Sequence, residues 1–422
     1  MERAVVFGCG HTSVQYREEI HKRFDVVAYS CNRPQKWGQE YDGAAIIEPS
    51  KIPEDVIILV ASEEYYPEIL LGLVQQGVKN PFYTIIEGLF VRCFPTKTPE
   101  QSWKYEFPEL HTQPASLTVD LSGLCNSKCQ YCAFHSEYGK EKKFPAKFME
   151  EGVLLELLQQ IEHVQSFTTL KLIGHGEPMM HPQWQEYASQ ILKAGQFNTC
   201  WILTNGMLLT PENAQKLHDL PVKTLNIEIS IDGFSPEDCE FWRKGEKFSV
   251  IRENVHRAYE ILGERAEMYT FGCVVMPASV DINSHEEVMQ AMNEAEAWRR
   301  KEFPFIANRS NLTYPYVDNI PGTKVVEVAT LPRPLWCDLP FHNIAISNNG
   351  DILSCPCGPM YLNDENGGRI GNILKDNMLE IFYNHPRLNQ MRRDFIAQKE
   401  PVPCRGCALC GENRILCLQR TE

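Results

Sequence analysis

Cys125-Asn-Ser-Lys-Cys129-Gln-Tyr-Cys132 sets three thiols in CxxxCxxC spacing. Thiolates are soft ligands that select zinc or iron–sulfur clusters. Four of them close a structural site, whereas three leave one coordination position open, and an open position is where chemistry can happen. His135 is the one candidate fourth donor nearby, and with it the loop would read as a zinc knuckle. A second group of thiols lies near the C-terminus: Cys337, Cys355, Cys357, Cys404, Cys407, Cys410 and Cys417, with a CxxC at 404–407. Two distant thiols plus a CxxC predict a second metal site, and spacing alone fits a four-thiolate zinc as well as a cluster.

Between the two groups lie polar segments at the ends of apolar runs: Gly174-His175-Gly176-Glu177-Pro178, Thr204-Asn205-Gly206, and Ser230-Ile-Asp232. With Tyr131 before the last cysteine, the thiol loop and these segments resemble the radical S-adenosylmethionine (SAM) enzymes. That resemblance implies a [4Fe–4S] cluster on Cys125, Cys129 and Cys132, whose fourth iron holds SAM and cleaves it to a 5′-deoxyadenosyl radical. It further implies that Gly174, His175, Gly176 and Glu177 stand for the family's G-G-E-P segment, with Glu177 and the backbone carbonyls receiving the SAM ammonium. His175 departs from that pattern. Asn205, Ser230 and Asp232 would face the methionyl and ribose oxygens, and Tyr131 and Val275 would flank the adenine. The C-terminal cysteines resemble a SPASM/twitch extension, which implies an auxiliary [4Fe–4S] cluster on Cys337, Cys355, Cys404 and Cys407. Cys410 and Cys417 are alternates, or ligands of a second, incompletely ligated cluster.

The elements that must position these groups are short. Leu117, Val119 and Leu121 alternate as a strand that delivers the thiol loop. Beyond it, strands at 169–173, 199–203, 224–231, 268–276 and 304–306 alternate with helices at 148–164, 184–193, from Pro211, 250–262 and 284–297. Six β/α units predict a partial (β/α)6 TIM-like barrel of the α/β class, in which ligands collect at the C-terminal strand ends. Asn349-Gly350 between apolar runs predicts a hairpin near Cys355. Residues 1–95 alternate as βαβ, with strands near 4–8, 26–29, 44–47, 56–60 and 83–86 and helices at 14–23 and 66–76. They predict a Rossmann-like domain whose turn Gly8-Cys-Gly10-His-Thr-Ser13 could hold a phosphate. Prolines at 95, 99, 108 and 114 predict a linker over 96–114, followed by the barrel at 115–330 and the cysteine-rich domain at 331–422.

Composition bounds the rest. With 422 residues, 43% apolar and 23% charged, the chain can bury two or three cores. A net charge of −14 carries no basic footprint for nucleic acid. No apolar run approaches the ~20 residues that span a bilayer, and the first residues lead straight into a strand, so a cytoplasmic protein with no membrane partner is expected. Its 16 cysteines in a reducing compartment point to metal ligation before disulfides. The expected activity is hydrogen abstraction from a small polar substrate, a sugar, aminosugar or nucleotide-linked sugar, giving oxidation or epimerisation. Flavodoxin or ferredoxin is the kind of electron donor implied. The alternative is a maturase acting on a ribosomal peptide. No catalytic acid or base is assigned, because Glu228 can face either side of its strand.

Overall fold

Ala4-Val-Val-Phe7, fully or nearly fully buried, makes the core of the first strand, β1 (Glu2–Phe7). The computed structural model describes residues 1–62, 66–86, 89–95, 103–106, 112–139, 145–312, 320–329, 335–356, 368–404 and 414–421. These residues fall into two units, one holding the N-terminal strands together with 335–337, the other the rest.

In the first unit, β1 is followed by α1 (His11–Gln15), α2 (Arg17–Arg23), β2 (Phe24–Ser30), β3 (Glu40–Tyr41), β4 (Ala44–Ile47), β5 (Ile57–Val60), α3 (Tyr66–Gln75), β6 (Phe82–Ile86), β7 (Leu89–Pro95) and β8 (Trp103–Glu106). The sheet order is β3-β4-β2-β1-β5-β6-β7-β8. Strands β4, β2, β1, β5 and β6 are parallel and in the order of doubly wound sheets. Two expectations are corrected here. The predicted linker contains β8, which pairs antiparallel with β7, the pairing reaching Pro95 opposite Trp103. The glycine turn does not open a long helix: α1 has five residues, and the Gly10 N–H donates to Ser13 Oγ at 3.1 Å. The amide that a phosphate would take is already used.

The second unit begins with β9 (Ser116–Val119), α4 (Glu151–Ile161), β10 (Thr169–Leu172), α5 (Trp184–Ala194), β11 (Thr199–Thr204), α6 (Pro211–His218), β12 (Thr224–Ser230), α7 (Pro236–Trp242), α8 (Phe248–Leu262), β13 (Ala266–Val274), α9 (His285–Glu302) and β14 (Ala307–Leu312). Side chains of Thr210, Ser235 and Ser284 accept from the first-turn amides of α6, α7 and α9, which fixes where those helices start. Strands β9 to β14 are parallel neighbours in sequence order, six β/α units of an open, partial barrel. The last strand lies at Ala307–Leu312 rather than at 304–306. Its polar sequence hid it, and Pro304 lies in the turn before it.

After β15 (Thr323–Ala329) and α10 (Leu339–His342), β16 (Asn343–Ile346) and β17 (Asp351–Leu353) form the hairpin announced by Asn349-Gly350, with Gly350 at φ +85°. Instead of standing apart, β16 adds parallel to β9, and β17 and β18 (Arg369–Asn372) extend the same sheet to nine strands. Asn343 Oδ1 fastens the junction by accepting from Ser116 Oγ at 2.8 Å and Thr118 Oγ1 at 2.9 Å. Helices α11 (Met378–Asn384) and α12 (Pro386–Ile396) follow, and the final strand, β19 (Arg414–Arg420), pairs antiparallel with β15. The boundary expected at 330/331 is thus crossed twice by strand pairing. No helix among the described residues is long and apolar enough to cross a membrane.

Candidate functional site

The thiol loop leaves the C-terminal end of β9, and the chain builds a shelf beneath it. Asp120 turns back: its carboxylate accepts from the Ser122 N–H at 3.2 Å, and from the His175 N–H at 3.2 Å and Nδ1 at 3.0 Å. The Gly174–Pro178 segment after β10 lies so close to this loop that side chains have no room. A Cβ on Gly174 would stand 2.0 Å from Asp120 Oδ1, and one on Gly176 2.2 Å from the carbonyls of Ser122 and Leu124. The Glu177 N–H then donates to Leu124 O at 2.9 Å. Both glycines are therefore demanded by close backbone approach.

Glu177 itself differs from the role the resemblance implies. Its side chain is 2% exposed, and it accepts from the Asn205 N–H at 2.8 Å, Thr204 Oγ1 at 2.9 Å and the Met179 N–H at 3.3 Å. Burial outweighs these donors and pushes its carboxyl up to about 7. Its carboxylate ties the ends of β10 and β11 together, so what this segment has left to offer a SAM ammonium is its backbone carbonyls. His175 is likewise engaged, paired with Asp120 and edge-on to Phe134 at 4.4 Å.

Asp232 also has a structural task. One oxygen accepts from the Cys273 N–H at 2.6 Å, and the other takes Arg243 NH1 at 3.0 Å and the Tyr131 hydroxyl. Arg243 continues to Glu246 at 2.8 Å, and Glu246 accepts from Ser127 Oγ at 2.6 Å. The amides of Lys128 and Gln130 donate to the carbonyls of Lys244 and Trp242, both at 2.8 Å. A buried set of two carboxylates and one guanidinium, with Tyr131, thus clamps the thiol loop from the β12 side. Both oxygens of Asp232 are thus engaged by this clamp. Neither Arg243 nor Glu246 carries a sequence signal, since Trp-Arg-Lys-Gly-Glu reads as an ordinary helix end.

The fit of the loop to an iron–sulfur cluster rests on its donors. Among the described residues no three Cys, His, Asp or Glu side chains converge tightly enough for a single metal ion. Hydrogen-bond donors instead point at the sulfurs: the Ser127 N–H at 3.4 Å and Asn205 Nδ2 at 3.9 Å from Cys125 Sγ, and the His135 N–H at 3.4 Å from Cys132 Sγ. Such donors stabilise thiolate and tune clusters. Burial pushes the Cys125 thiol up to about 11 and raises Cys129 well above the ordinary range, with Arg243 pulling both back. Metal loading must therefore release protons. His135 uses its Nε2 on His175 O at 2.8 Å, which places it in the loop's scaffold rather than among the thiols. Tyr131 and Val275 do meet, in one apolar cluster with Trp242 and Leu418.

Of the second thiol group, Cys355 follows β17, and because β17 runs antiparallel to β9 it lies at the opposite end of the sheet from Cys125–Cys132. Cys337 and Cys404 are buried, whereas Cys357, Cys407 and Cys410 fall outside the described residues. Cys417 is corrected: it sits inside β19, fully buried among Val274, Met276, Val326 and Val328, with Sγ on Leu418 O at 3.2 Å. It is a core thiol. Cys200 and Cys239 are buried core thiols too.

The structure also settles which way β12 faces. Ile229 and Ile251 of α8 both crowd Gly206, so Leu225, Ile227 and Ile229 face the helices. Asn226, Glu228 and Ser230 therefore face the barrel interior.

Residues 119–295 match the radical SAM superfamily, residues 337–410 the SPASM iron-sulfur cluster-binding domain, and residues 1–81 the family described as C2185-like, N-terminal. The chain is 32% identical over 122 residues to GTP 3′,8-cyclase of Trichormus variabilis, covering 28% of this chain and 35% of that protein. It is 30% identical over 161 residues to molybdenum cofactor biosynthesis protein 1 of Bos taurus, covering 38% and 24%. The matched segments thus span about a third or less of these relatives. Similar solved structures include BtrN in complex with AdoMet and 2-DOIA, with 15% identity, TM-score 0.41, and 68% of this chain and 88% of that one covered. SuiB of Streptococcus suis bound to S-adenosylmethionine is another, with 13% identity, TM-score 0.43, and 67% and 68% covered. The chain thus carries a radical SAM domain over residues 119–295 and an iron–sulfur cluster-binding SPASM domain over residues 337–410.

Proposed function

We propose that this enzyme takes a hydrogen atom from a C–H bond of a small polar molecule held against the inward face of the barrel, with oxidation or epimerisation as the net result. One observation carries the reading: the parallel strands that end on the side of the Cys125–Cys132 loop turn the polar side chains of Lys171, Asn226, Glu228, Ser230 and Arg309 to the barrel interior. Cys125, Cys129 and Cys132 would hold a [4Fe–4S] cluster, and Cys337, Cys355, Cys404 and Cys407 an auxiliary one, with Cys410 as alternate. With SAM bound, the first cluster supplies a 5′-deoxyadenosyl radical.

The chain's own residues bind, orient and shield. Carbonyls of Gly174–Gly176, Asn205 and Ser230 are the groups left to contact SAM once Glu177 and Asp232 are committed to the scaffold, and Tyr131 and Val275 offer an apolar wall for its adenine. Packed strands around the interior exclude water from a reactive intermediate. The name of the curated relatives, GTP 3′,8-cyclase, specifies a nucleotide substrate, which agrees with a small polar ligand here.

The test is substrate-triggered turnover. Protein reconstituted without oxygen is given SAM, reductant and a panel of sugars, aminosugars, sugar nucleotides and peptides. At least one small polar compound should raise 5′-deoxyadenosine formation, and Cys125→Ala, Cys129→Ala and Cys132→Ala should each abolish it. Stimulation by peptides alone would replace this reading with that of a peptide maturase.

A further inference from the structure

The inward face of β10 to β14 carries three charged side chains, Lys171, Glu228 and Arg309, that have no ion-pair partner among the described residues. Pairing registers align Lys171 with Trp201 and Asn226, Leu203 with Glu228 and Tyr269, and Ser230 with Phe271 and Arg309. The Trp201 and Tyr269 rings stack at 5.8 Å and 15°, and the Arg309 guanidinium lies over the Tyr269 ring at 5.1 Å. Glu228 and Lys171 are half-buried and Arg309 is exposed; Glu228 feels both cations, yet none of the three side chains makes a hydrogen bond or ion pair with another described residue. Asp232, Arg243 and Glu246 in the same unit, by contrast, satisfy one another. A carboxylate held out of water with no donor is costly unless a ligand completes it.

Lys171 and Arg309 both act on Glu228, while the other carboxylate of this face, Glu267, takes the Tyr269 hydroxyl. A guanidinium packed flat on an aromatic ring keeps its edge N–H groups free for a two-point grip on an oxyanion. An aromatic pair is suited to the C–H face of a ring.

We propose that this inward face binds an anionic carbohydrate: its phosphate or carboxylate group on Arg309 and Lys171, a hydroxyl or ammonium donor on Glu228, and its ring face against Trp201 and Tyr269. This assignment rests on the reading that the barrel interior receives a small polar substrate, and it names the charge that substrate carries. Phosphate and carboxylate share the chemistry, so both are tested.

The experiment is calorimetric titration of the full-length, cluster-reconstituted protein with glucose 6-phosphate, glucuronate and glucose, alongside a 5′-deoxyadenosine assay on the same preparation. Expected is binding of at least one of the two anions about tenfold or more tighter than glucose, the size of one charge-assisted contact. Arg309→Gln and Lys171→Met should each erase that preference while leaving glucose binding as it was. Glu228→Gln should weaken all three probes, because each offers it a hydroxyl. Thermal unfolding of each variant controls for folding. Equal binding of all three probes, failure of both anions to bind, or an anion preference that survives Arg309→Gln overturns the proposal. If SAM cleavage persists in such a result, the radical activity stands and only this site falls. If anion binding holds but cleavage is absent, the activity falls instead.

Discussion

Arg243 stands between Asp232 and Glu246, 8% exposed, and three hydrogen bonds connect that trio to the thiol loop through Tyr131 and Ser127. Removing its charge leaves two buried carboxylates facing one another, so Arg243→Met should cost on the order of 3–5 kcal/mol. The loss should shrink as pH falls. Burial raises the Glu246 carboxyl, and without the guanidinium it binds its proton more tightly still in the folded state; stability tied to such a group is present at low pH and lost as pH rises. Urea unfolding of wild type and variant at about pH 5 and about pH 8 checks this; a pH-independent difference contradicts it. At this scale the sequence was readable where residue type and spacing sufficed, as with Cys125, Cys129 and Cys132. It was unreadable where the partner came from a distant loop. Glu177 and Asp232 looked like free acceptors at strand ends, and only the fold shows that Thr204, Asn205, Cys273 and Arg243 take up their oxygens. Cys417 looked like a ligand because it follows a CxxC at short range, and strand pairing carried it into the core instead.

Elements position the site by touching one another through backbone. The 174–178 segment and the thiol loop are in contact at Gly176, where a methyl group would meet two carbonyl oxygens at 2.2 Å. Gly176→Ala should therefore push the two loops apart, costing about 1–3 kcal/mol as overpacking does. Because the displaced loop carries the thiols, iron retention after reconstitution should fall even where the fold survives. Wild-type stability together with full iron content in this variant would contradict the shelf described above. Strands with apolar alternation, such as the one ending at Val119, were legible, and so was the hairpin at Asn349-Gly350. Strand β14, Ala-Asn-Arg-Ser-Asn-Leu, was not, because its pairing with β13 supplies what its composition lacks. Helix α7 went unread because seven residues between Ser235 and Arg243 give too little periodicity to stand out.

On the scale of the molecule, the nine-stranded sheet makes the barrel and the C-terminal hairpin one structure. Composition alone suggested a separate cysteine-rich domain, because cysteine density marks a metal site but says nothing about which sheet edge it joins. The consequence is directional. Residues at the top of β9 and residues after β17 are held at a fixed separation by continuous backbone pairing through β16. A rigid frame of that kind can orient a substrate against two centres at once.

The central claim is that two iron–sulfur centres and SAM chemistry reside in this chain. It is tested most directly by iron and sulfide analysis of protein purified and reconstituted without oxygen, with SAM conversion to 5′-deoxyadenosine measured on the same sample with and without reductant. The account predicts about eight irons and eight sulfides per chain, two cubes' worth, with cleavage only under reduction. Zinc in place of iron, or cluster-loaded protein that leaves SAM intact, would contradict it.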